Sequence, residues 1–310
     1  MLALRVFQGK FKQFSLIKSS HMMISFRFCK AFLVGVFMLS ALENSQAKEK
    51  DVYTLLIDVG NSRISCGVYT HEGPQCLFSL PTKEGDSSAV VKNFFEEQLE
   101  ACGLKPRSIA QVGISSVVPR VNQALEDACK ALFSSPPYFL TGLSQDKVKI
   151  IYRKPEEVGS DLIAGAIAAT ERHPGKDVVV VDFGTATTVC AVNAKKEFLG
   201  AVIFPGLMLS MEALTGGTAL LKPVEVARPK DVLADSTAGC IQAGLYYAQI
   251  AGVKAVSERI RKEYFKNAEM IVVGTGGFSY LFREEAFFTE IVPSLNLEGI
   301  LAAMPTEPQA

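Results

Sequence analysis

The chain lacks the residue groupings from which many metal, redox and hydrolytic centres are built. Its seven cysteines include no C-x-x-C pair, and its three histidines stand apart at positions 21, 71 and 173. This spacing argues against a zinc site or a histidine-based triad, and it predicts free thiols in a reducing compartment. Neither G-x-x-x-x-G-K-[ST] nor a strand followed by G-x-G-x-x-G occurs, which disfavours P-loop and Rossmann chemistry.

The chain also lacks an excess of either charge. Its 32 Lys and Arg residues balance 32 Asp and Glu residues. No electrostatic argument therefore favours nucleic acid or an anionic membrane surface as a partner. With 310 residues, of which 48% are hydrophobic, the chain suits two domains or one large domain with a buried core.

The first fifty residues differ in composition from the rest. Residues 1–42 contain several Lys and Arg but no acid, and an apolar run over 31–42 is too short to span a bilayer. With Ser45-Gln46-Ala47 behind it, the segment resembles a secretory signal or transit peptide. The alternative is a start codon placed too far upstream. We favour an artefactual or cleaved leader over 1–50, and no membrane association of the mature form.

One short pattern occurs twice, as Asp58–Ser62 (DVGNS) and as Asp182–Ala186 (DFGTA). Each copy follows an apolar run and precedes another β-rich stretch, which predicts strand, tight turn, strand. Glycine allows a close approach to a ligand, turn N–H groups and hydroxyls can hold phosphate oxygens, and the acid can hold a cation. Two such turns facing each other would clamp a nucleotide polyphosphate. The alternative is a pair of ordinary hairpin turns, which the duplication and the hydroxyl run Thr185–Thr188 disfavour.

The order of the predicted elements repeats in the two halves of the chain. Each half begins with three strands in a meander and continues with strands joined by helices, which predicts an α/β fold with two mixed sheets. We expect domains at 51–173 and 174–310, with a ligand in the cleft between them. The predicted strands cover 52–69, 76–80, 110–115, 138–141, 178–192, 198–203 and 270–273, and the predicted helices cover 87–102, 121–133, 162–170, 235–262, a segment after 206 and a segment after 295.

Three further segments are candidates for the site. Asp161 follows Gly159-Ser160 at or just before a helix start, where it is either an N-cap or a general base for a hydroxyl substrate. The glycines of 274–277 form either a plain strand-to-helix turn or a surface on which a flat base lies. The stretch 200–206 is a hinge or a loop near the ligand.

Taken together, these motifs resemble the type III pantothenate kinase family. That family lies in the acetate kinase, sugar kinase, Hsp70 and actin superfamily, so the resemblance implies two duplicated ribonuclease-H-like domains of the actin-like ATPase fold with a nucleotide cleft between them. It extends from about residue 53 to 303. The motifs that carry it are D-x-G-N-S at 58–62, S-S-V-V-P at 115–119, G-x-D at 159–161, D-F-G-T-A-T-T at 182–188, P-G at 205–206, T-G-G at 275–277 and L-x-L-E-G at 295–299.

The resemblance implies ATP-dependent phosphorylation of the pantothenate 4′-hydroxyl, the first step of coenzyme A biosynthesis, by a cytoplasmic homodimer. Asp161 would be the general base, Asp182 would hold a monovalent cation (K⁺ or NH₄⁺), and Asp58 would hold Mg²⁺. The residues that it assigns to ATP are Asp58, Val59, Gly60, Asn61, Ser62, Arg63, Ile64, Ser65, Thr185, Gly276 and Gly277. Those that it assigns to pantothenate are Tyr152, Gly159, Ser160, Asp161, Leu162 and Thr237.

The chain departs from the family pattern at one position. The family has G-x-D-R, whereas Leu162 stands here in place of the arginine. An aliphatic side chain cannot make the bidentate contacts of a guanidinium, so either Arg63 or Arg153 substitutes or substrate binding is changed. Two alternative functions follow: a kinase of the same superfamily that acts on another small hydroxylated substrate, and a catalytically inactive ATP-binding regulatory protein.

Overall fold

The computed structural model describes residues 52–266 and 268–305, so the predicted leader over 1–50 lies outside the described residues. Within these ranges no helix is long and apolar enough to cross a membrane. The strands are β1 (Tyr53–Val59), β2 (Arg63–Thr70), β3 (Gly73–Pro81), β4 (Ile109–Ser116), β5 (Tyr138–Leu140), β6 (Lys149–Ile150), β7 (Asp177–Phe183), β8 (Ala186–Val192), β9 (Glu197–Pro205), β10 (Met270–Thr275) and β11 (Glu290–Ile291). The α-helices are α1 (Ser88–Ala101), α2 (Pro119–Leu132), α3 (Ser160–Arg172), α4 (Leu207–Gly216), α5 (Thr237–Glu263) and α6 (Leu295–Ala303).

The strands form two mixed sheets with the same internal order. The first sheet runs β3-β2-β1-β4-β5, and the second runs β11-β10-β7-β8-β9-β6. In both sheets three consecutive strands pair antiparallel as a meander. The first strand of the meander then pairs in parallel with a later strand, β4 or β10, which in turn pairs in parallel with β5 or β11. The duplicated α/β plan with mixed sheets is thus confirmed. The boundary between residues 173 and 174 stays a prediction.

The second sheet has one strand more than the first. Strand β6 precedes α3 in the chain, yet it pairs in parallel with β9 at the edge of the second sheet. The sequence does not predict β6 or β11, because strands of two residues carry no periodic signal.

Alternate residues of the central strands face different layers. Leu55 and Ile57 of β1 pack with α1 and α2 on the outer face of the first sheet, whereas Leu56 packs with α3 and α6. In the same way Val179 of β7 packs with α4 and α5, whereas Val180 packs with α3. A sheet covered on both faces needs apolar residues at consecutive positions. The continuous apolar runs of β1 and β7 follow from this arrangement.

Helices α3 and α6 share the core that lies between the two sheets. They approach each other very closely, because a Cβ atom on Gly299 of α6 would lie 2.5 Å from the carbonyl carbon of Ala164 in α3. At the other end of the contact, Arg172 of α3 donates from Nη1 to Glu298 Oε2 at 2.9 Å and from Nη2 to Glu290 Oε2 at 2.7 Å. Glycine at 299 therefore sets the distance between the two central helices.

Two of the differences between predicted and observed element boundaries affect candidate site residues. Helix α3 begins at Ser160, so Asp161 lies inside its first turn and Gly159 is the N-cap residue. Strand β10 extends through Thr275, so the first half of the predicted turn over 274–277 belongs to the strand. The N-cap interpretation of Asp161 is therefore wrong, because the residue lies two positions beyond the cap.

The cysteines do not all remain free thiols. Cys76 of β3 and Cys102, the residue after α1, form a disulfide. The prediction of free thiols is therefore wrong for this pair, because the fold brings strand and helix end together across a sequence separation of 26 residues. Of the other described cysteines, Cys66, Cys129 and Cys190 are free and buried, and Cys240 is free and exposed.

The close contact between α3 and α6 generates a stability prediction. Gly299→Ala should lower the free energy of unfolding by roughly 2 kcal/mol, since an added methyl group in a packed contact forces the backbones apart. Gly244→Ala in α5 is the matched control, because a Cβ there meets no atom within 4 Å and alanine favours the helix. Urea denaturation of both variants measures the difference. Equal stability of Gly299→Ala and the wild type would contradict the packing described.

Candidate active site

Two acids lie at equivalent ends of the two sheets. Asp58 is the penultimate residue of β1, and Asp182 is the penultimate residue of β7. The amide nitrogen of Asn296, in the first turn of α6, donates to Asp58 Oδ2 at 3.2 Å and to Asp182 Oδ2 at 3.3 Å. The two acids of the repeated motif are therefore neighbours on either side of one amide group.

The two glycine turns that follow these acids also meet. Ser62 Oγ lies 2.8 Å from Thr185 Oγ1, although 123 positions separate the residues in sequence. Each turn is closed by a backbone hydrogen bond, from Gly60 N to the Arg63 carbonyl at 3.0 Å and from Gly184 N to the Ala186 carbonyl at 3.1 Å. The repeated turns thus face each other, as their duplication predicts.

A third acid reaches the same region from α3. Asp161 is half-buried, and its Oδ1 accepts a hydrogen bond from the N–H of Leu162 at 2.7 Å. The preceding residue, Ser160, is buried and accepts a hydrogen bond at 3.0 Å from Ser115, which lies beside Asp58 in the β1–β4 register. The first turn of α3 is thus joined to the carboxyl end of the first sheet.

Burial raises the pKa of all three carboxylates, and repulsion within the cluster raises the pKa of two of them further. Burial, followed by repulsion from Asp161, raises the pKa of Asp58 to about 6. Burial, followed by repulsion from Asp58 and Asp161, raises the pKa of Asp182 to about 7. Burial also raises the pKa of Asp161. The hydrogen bonds from Asn296 act in the opposite direction on the first two groups, because they stabilise the charged forms.

The oxygen atoms of this cluster suit a cation that also has other ligands. Asp58 Oδ1 and Asn296 Oδ1 are buried without a hydrogen-bond partner. Oxygen ligands of this kind are preferred by Mg²⁺ and other hard cations. In the described part of the chain no group of three or more His, Cys, Asp or Glu side chains is arranged to hold a metal ion. A cation here would therefore need water or phosphate oxygens as further ligands.

Comparisons with known proteins identify the family of this chain. A model of the type III pantothenate kinase family matches residues 54–259. Type III pantothenate kinase of Legionella pneumophila (strain Paris) is 41% identical over 251 residues, which cover 81% of this chain and 98% of that protein. The chain belongs to the type III pantothenate kinase family. The enzyme of that name from Elusimicrobium minutum (strain Pei191) is 36% identical over 250 residues, which cover 81% of this chain and 97% of its own.

One solved structure supports the fold alone. A protein from Sinorhizobium meliloti, described as a 2-dehydro-3-deoxygalactonokinase, superposes with a TM-score of 0.52 at 13% identity. The match covers 81% of this chain and 95% of that one. Together with the strand order of the two sheets, it confirms the predicted α/β architecture of duplicated ribonuclease-H-like domains.

The residues that the kinase family resemblance assigns to ATP fall into two groups. Val59 and Ile64 have side chains buried in the outer core of the first sheet, so only their backbone can meet a ligand. Asn61, Ser62 and Arg63 are exposed at the β1–β2 turn. The Arg63 guanidinium donates to Ser79 Oγ at 2.5 Å, on the neighbouring strand β3. The turn thus presents exposed side chains above a strand end whose apolar side chains are buried.

The other residues assigned to ATP lie beside the two acids. Ser65 is opposite Asp58 in the β1–β2 register. Gly276 has a φ of +92°, and a Cβ there would lie 2.6 Å from the backbone nitrogen of Phe183 and would also meet the Asp182 carboxylate. Gly277, by contrast, adjoins open space. Glycine is therefore required at 276 for the close approach to β7.

The residues that the resemblance assigns to pantothenate are not all brought together. Gly159 and Ser160 adjoin Asp161, but Tyr152 is 46% exposed and Thr237 is exposed at the start of α5. In the described residues no hydrogen bond joins Tyr152 or Thr237 to the three acids. Leu162, at the position of the family arginine, packs against the core between the two sheets. The structure thus places an apolar contact where the family has a charged side chain.

The sequence did not single out Asn296 or Ser115 as site residues. Asn296 is the variable position of the L-x-L-E-G motif, and Ser115 ends a strand within S-S-V-V-P. Both motifs were visible in the sequence. Their contacts depend on residues more than 40 positions away, so the partners could not be identified from local pattern.

The raised pKa values predict a pH-dependent stability. Asp182 has a pKa of about 7 in the folded protein and 3.8 as its ordinary value. Between about pH 4 and pH 7 the unfolded chain therefore releases this proton more readily than the folded one, so the free energy of unfolding falls as pH rises. Asp182→Asn should therefore raise the free energy of unfolding of the ligand-free protein at pH 8 by about 2 kcal/mol, and by less at pH 5. Thermal unfolding at both values measures the change, with the exposed Asp146→Asn as control. A variant less stable than the wild type at pH 8 would disprove this account.

Proposed function

We propose that this chain transfers the γ-phosphoryl group of ATP to the 4′-hydroxyl of pantothenate, forming 4′-phosphopantothenate for coenzyme A biosynthesis. Membership of the family gives the substrates. The observation that supports catalysis by this chain is the assembly of Asp58, Asp161 and Asp182 beside two facing glycine turns. Such turns suit a polyphosphate, because their N–H groups and hydroxyls donate to its oxygens.

Asp161 is the proposed general base. Its raised pKa makes the ionised carboxylate a better proton acceptor, and its position in the first turn of α3 holds it near Asp58. The carboxylate takes the proton of the pantothenate hydroxyl as that oxygen attacks the γ-phosphorus in line with the departing ADP oxygen. Catalysis then depends chiefly on positioning and on stabilising the charge of the transferring group.

The two turns are the proposed phosphate clamp. Residues 58–65 and Thr185 hold the phosphates of ATP through backbone N–H groups and hydroxyls, and Gly276 and Gly277 lie near the adenosine. The hydroxyl contact between Ser62 and Thr185 supports this proposal, since it brings one hydroxyl of each turn within 2.8 Å of the other. Open space beside Gly277 is compatible with a flat base.

Two cations complete the proposal. Asp58 would hold Mg²⁺ and Asp182 would hold K⁺ or NH₄⁺, and the unpartnered Asp58 Oδ1 fits such a group. When bound, these ions neutralise phosphate charge. The acids would be available to them only when ionised, which the raised pKa values of Asp58 and Asp182 make harder below about pH 6.

The general-base role generates a kinetic prediction. Asp161→Asn should lower kcat for pantothenate by about 10²- to 10⁴-fold, because the amide cannot accept the proton, while the KM for ATP changes little. ADP release by the full chain, with and without pantothenate, measures both constants. Glu156→Gln, an exposed substitution just before α3, is the control. Unchanged activity of Asp161→Asn would remove Asp161 from this role.

Two other functions remain distinguishable by experiment. Leu162 in place of the family arginine favours, as a second candidate, a kinase that accepts another small hydroxylated substrate. ADP release that is absent with pantothenate but present with another alcohol from a substrate panel would select it. A regulatory protein would bind ATP and transfer phosphate to none of them.

The exposed apolar side chains support a homodimer. Ile151 and Tyr152 follow β6, and Val202 and Ile203 lie on the neighbouring strand β9, all more than a third exposed. Large apolar side chains left exposed near one edge of the second sheet are candidates for an interaction surface. The family resemblance implies a homodimer, and the exposure of Tyr152 and Thr237 within one subunit agrees with that implication. We further propose that the dimer acts in the cytoplasm on ATP and pantothenate, and the balanced charge gives no support for nucleic acid or membrane partners.

The dimer proposal generates its own prediction. Ile203→Glu should convert a wild-type dimer into monomers and lower activity. The reason is that burying an unpaired carboxylate at an apolar interface costs about 2–5 kcal/mol. Sedimentation velocity measures the oligomeric state. Leu77→Glu on β3 is the control, since Leu77 is also exposed, at 57%, but lies in the other sheet. An unchanged sedimentation coefficient for Ile203→Glu would place the interface elsewhere.

A further inference from the structure

Asn296 is the one described residue whose side chain hydrogen-bonds to both Asp58 and Asp182. Its amide nitrogen carries two hydrogens, so each carboxylate can receive one of them. We propose that Asn296 is a positioning residue, which holds these two like-charged carboxylates at a fixed separation so that they can bind the cations of the reaction. The proposal rests on the proposed function and adds a residue to which that function assigned no role.

The position of this amide is strongly constrained. The backbone contact of Gly299 with Ala164 fixes α6 against α3, and Leu295 and Leu297 on either side of Asn296 are buried in the central core. Gly165 of α3 leaves room for the amide, because a Cβ at that position would lie 3.2 Å from Asn296 Oδ1. The packing of two helices therefore delivers the amide to the carboxylates.

The orientation of the amide is set by the acids. If the group were turned over, its oxygen would face two carboxylate oxygens, and like partial charges would repel. With the nitrogen toward the acids, Asn296 Oδ1 is buried without a partner, as is Asp58 Oδ1. A buried oxygen without a partner is costly, and the one on Asp58 is available to a cation as a ligand.

A neutral donor suits this task better than a cationic one. Throughout the described ranges no Lys or Arg side chain forms an ion pair with Asp58, Asp161 or Asp182. A lysine at 296 would neutralise the acids and would compete with the cations. An amide holds the carboxylates while leaving their negative charge in place, which is the usual work of residues that orient metal ligands.

The test compares Asn296→Leu, which has a similar volume but no donor, with Ser294→Ala as the matched control at the start of the same helix. The first measurement is the binding of Mn²⁺ together with a non-hydrolysable ATP analogue to the full chain, followed by electron paramagnetic resonance. We expect the Mn²⁺ dissociation constant to rise about tenfold in Asn296→Leu and to stay unchanged in Ser294→Ala.

The second measurement separates positioning from structural damage. In Asn296→Leu the Mg²⁺ and K⁺ concentrations needed for half-maximal activity should rise, while kcat at saturating cations recovers toward the wild-type value. Wild-type Mn²⁺ affinity in the variant, or a loss of kcat that saturating cations do not restore, would overturn the proposal. Asn296→Ala replaces the leucine variant if that protein does not fold, since the smaller side chain cannot clash with α3.

The two proposals fail in different ways. Absence of pantothenate-dependent turnover in the wild type would count against the proposed function alone, because Mn²⁺ binding is measured without turnover. An unaltered Mn²⁺ dissociation constant in Asn296→Leu would count against the role of Asn296 alone.

Discussion

The contact between Gly299 and Ala164 is the constraint on which the arrangement of the site depends. It lets α6 approach α3 at backbone distance in the core between the two sheets. Asp161 lies in the first turn of α3, and Asn296 lies in the first turn of α6. One helix pair therefore brings a carboxylate and an amide to the acids at the ends of β1 and β7. A larger residue at 299 would change packing and chemistry together.

The site combines this tight packing with electrostatic strain. Burial raises the pKa of all three carboxylates, repulsion raises the pKa of Asp58 and Asp182 further, and the neutral donor Asn296 offsets only part of these shifts. Proteins commonly accept such a cost where function needs it. In the proposed kinase the cost is offset when cations and phosphates bind. The same acids that destabilise the ligand-free protein at neutral pH would then become its strongest ligand contacts.

Much of the fold followed from local pattern. The apolar runs before Asp58 and Asp182, the small residues of the turns and the spacing of helical segments predicted most strands and helices, because these signals are set by neighbouring residues. The disulfide between Cys76 and Cys102 and the pairing of β6 with β9 were missed. Both join segments that are distant in sequence, and neither has a periodic signature. The start of α3 was placed too late because Asp161 resembled a cap.

The sequence by itself determined the duplicated strand-turn-strand motif and the α/β class, and it predicted the acids of the proposed chemistry, because an apolar run followed by an acid, a glycine and small polar residues occurs at both places. Only the tertiary structure decided which groups meet. Asn296 bridges acids that lie 238 and 114 positions away, and Leu162 packs into the central core rather than standing as a charged contact. The physical reason is that hydrogen-bond partners and packing neighbours are fixed by how helices and sheets assemble, and local pattern does not contain that geometry.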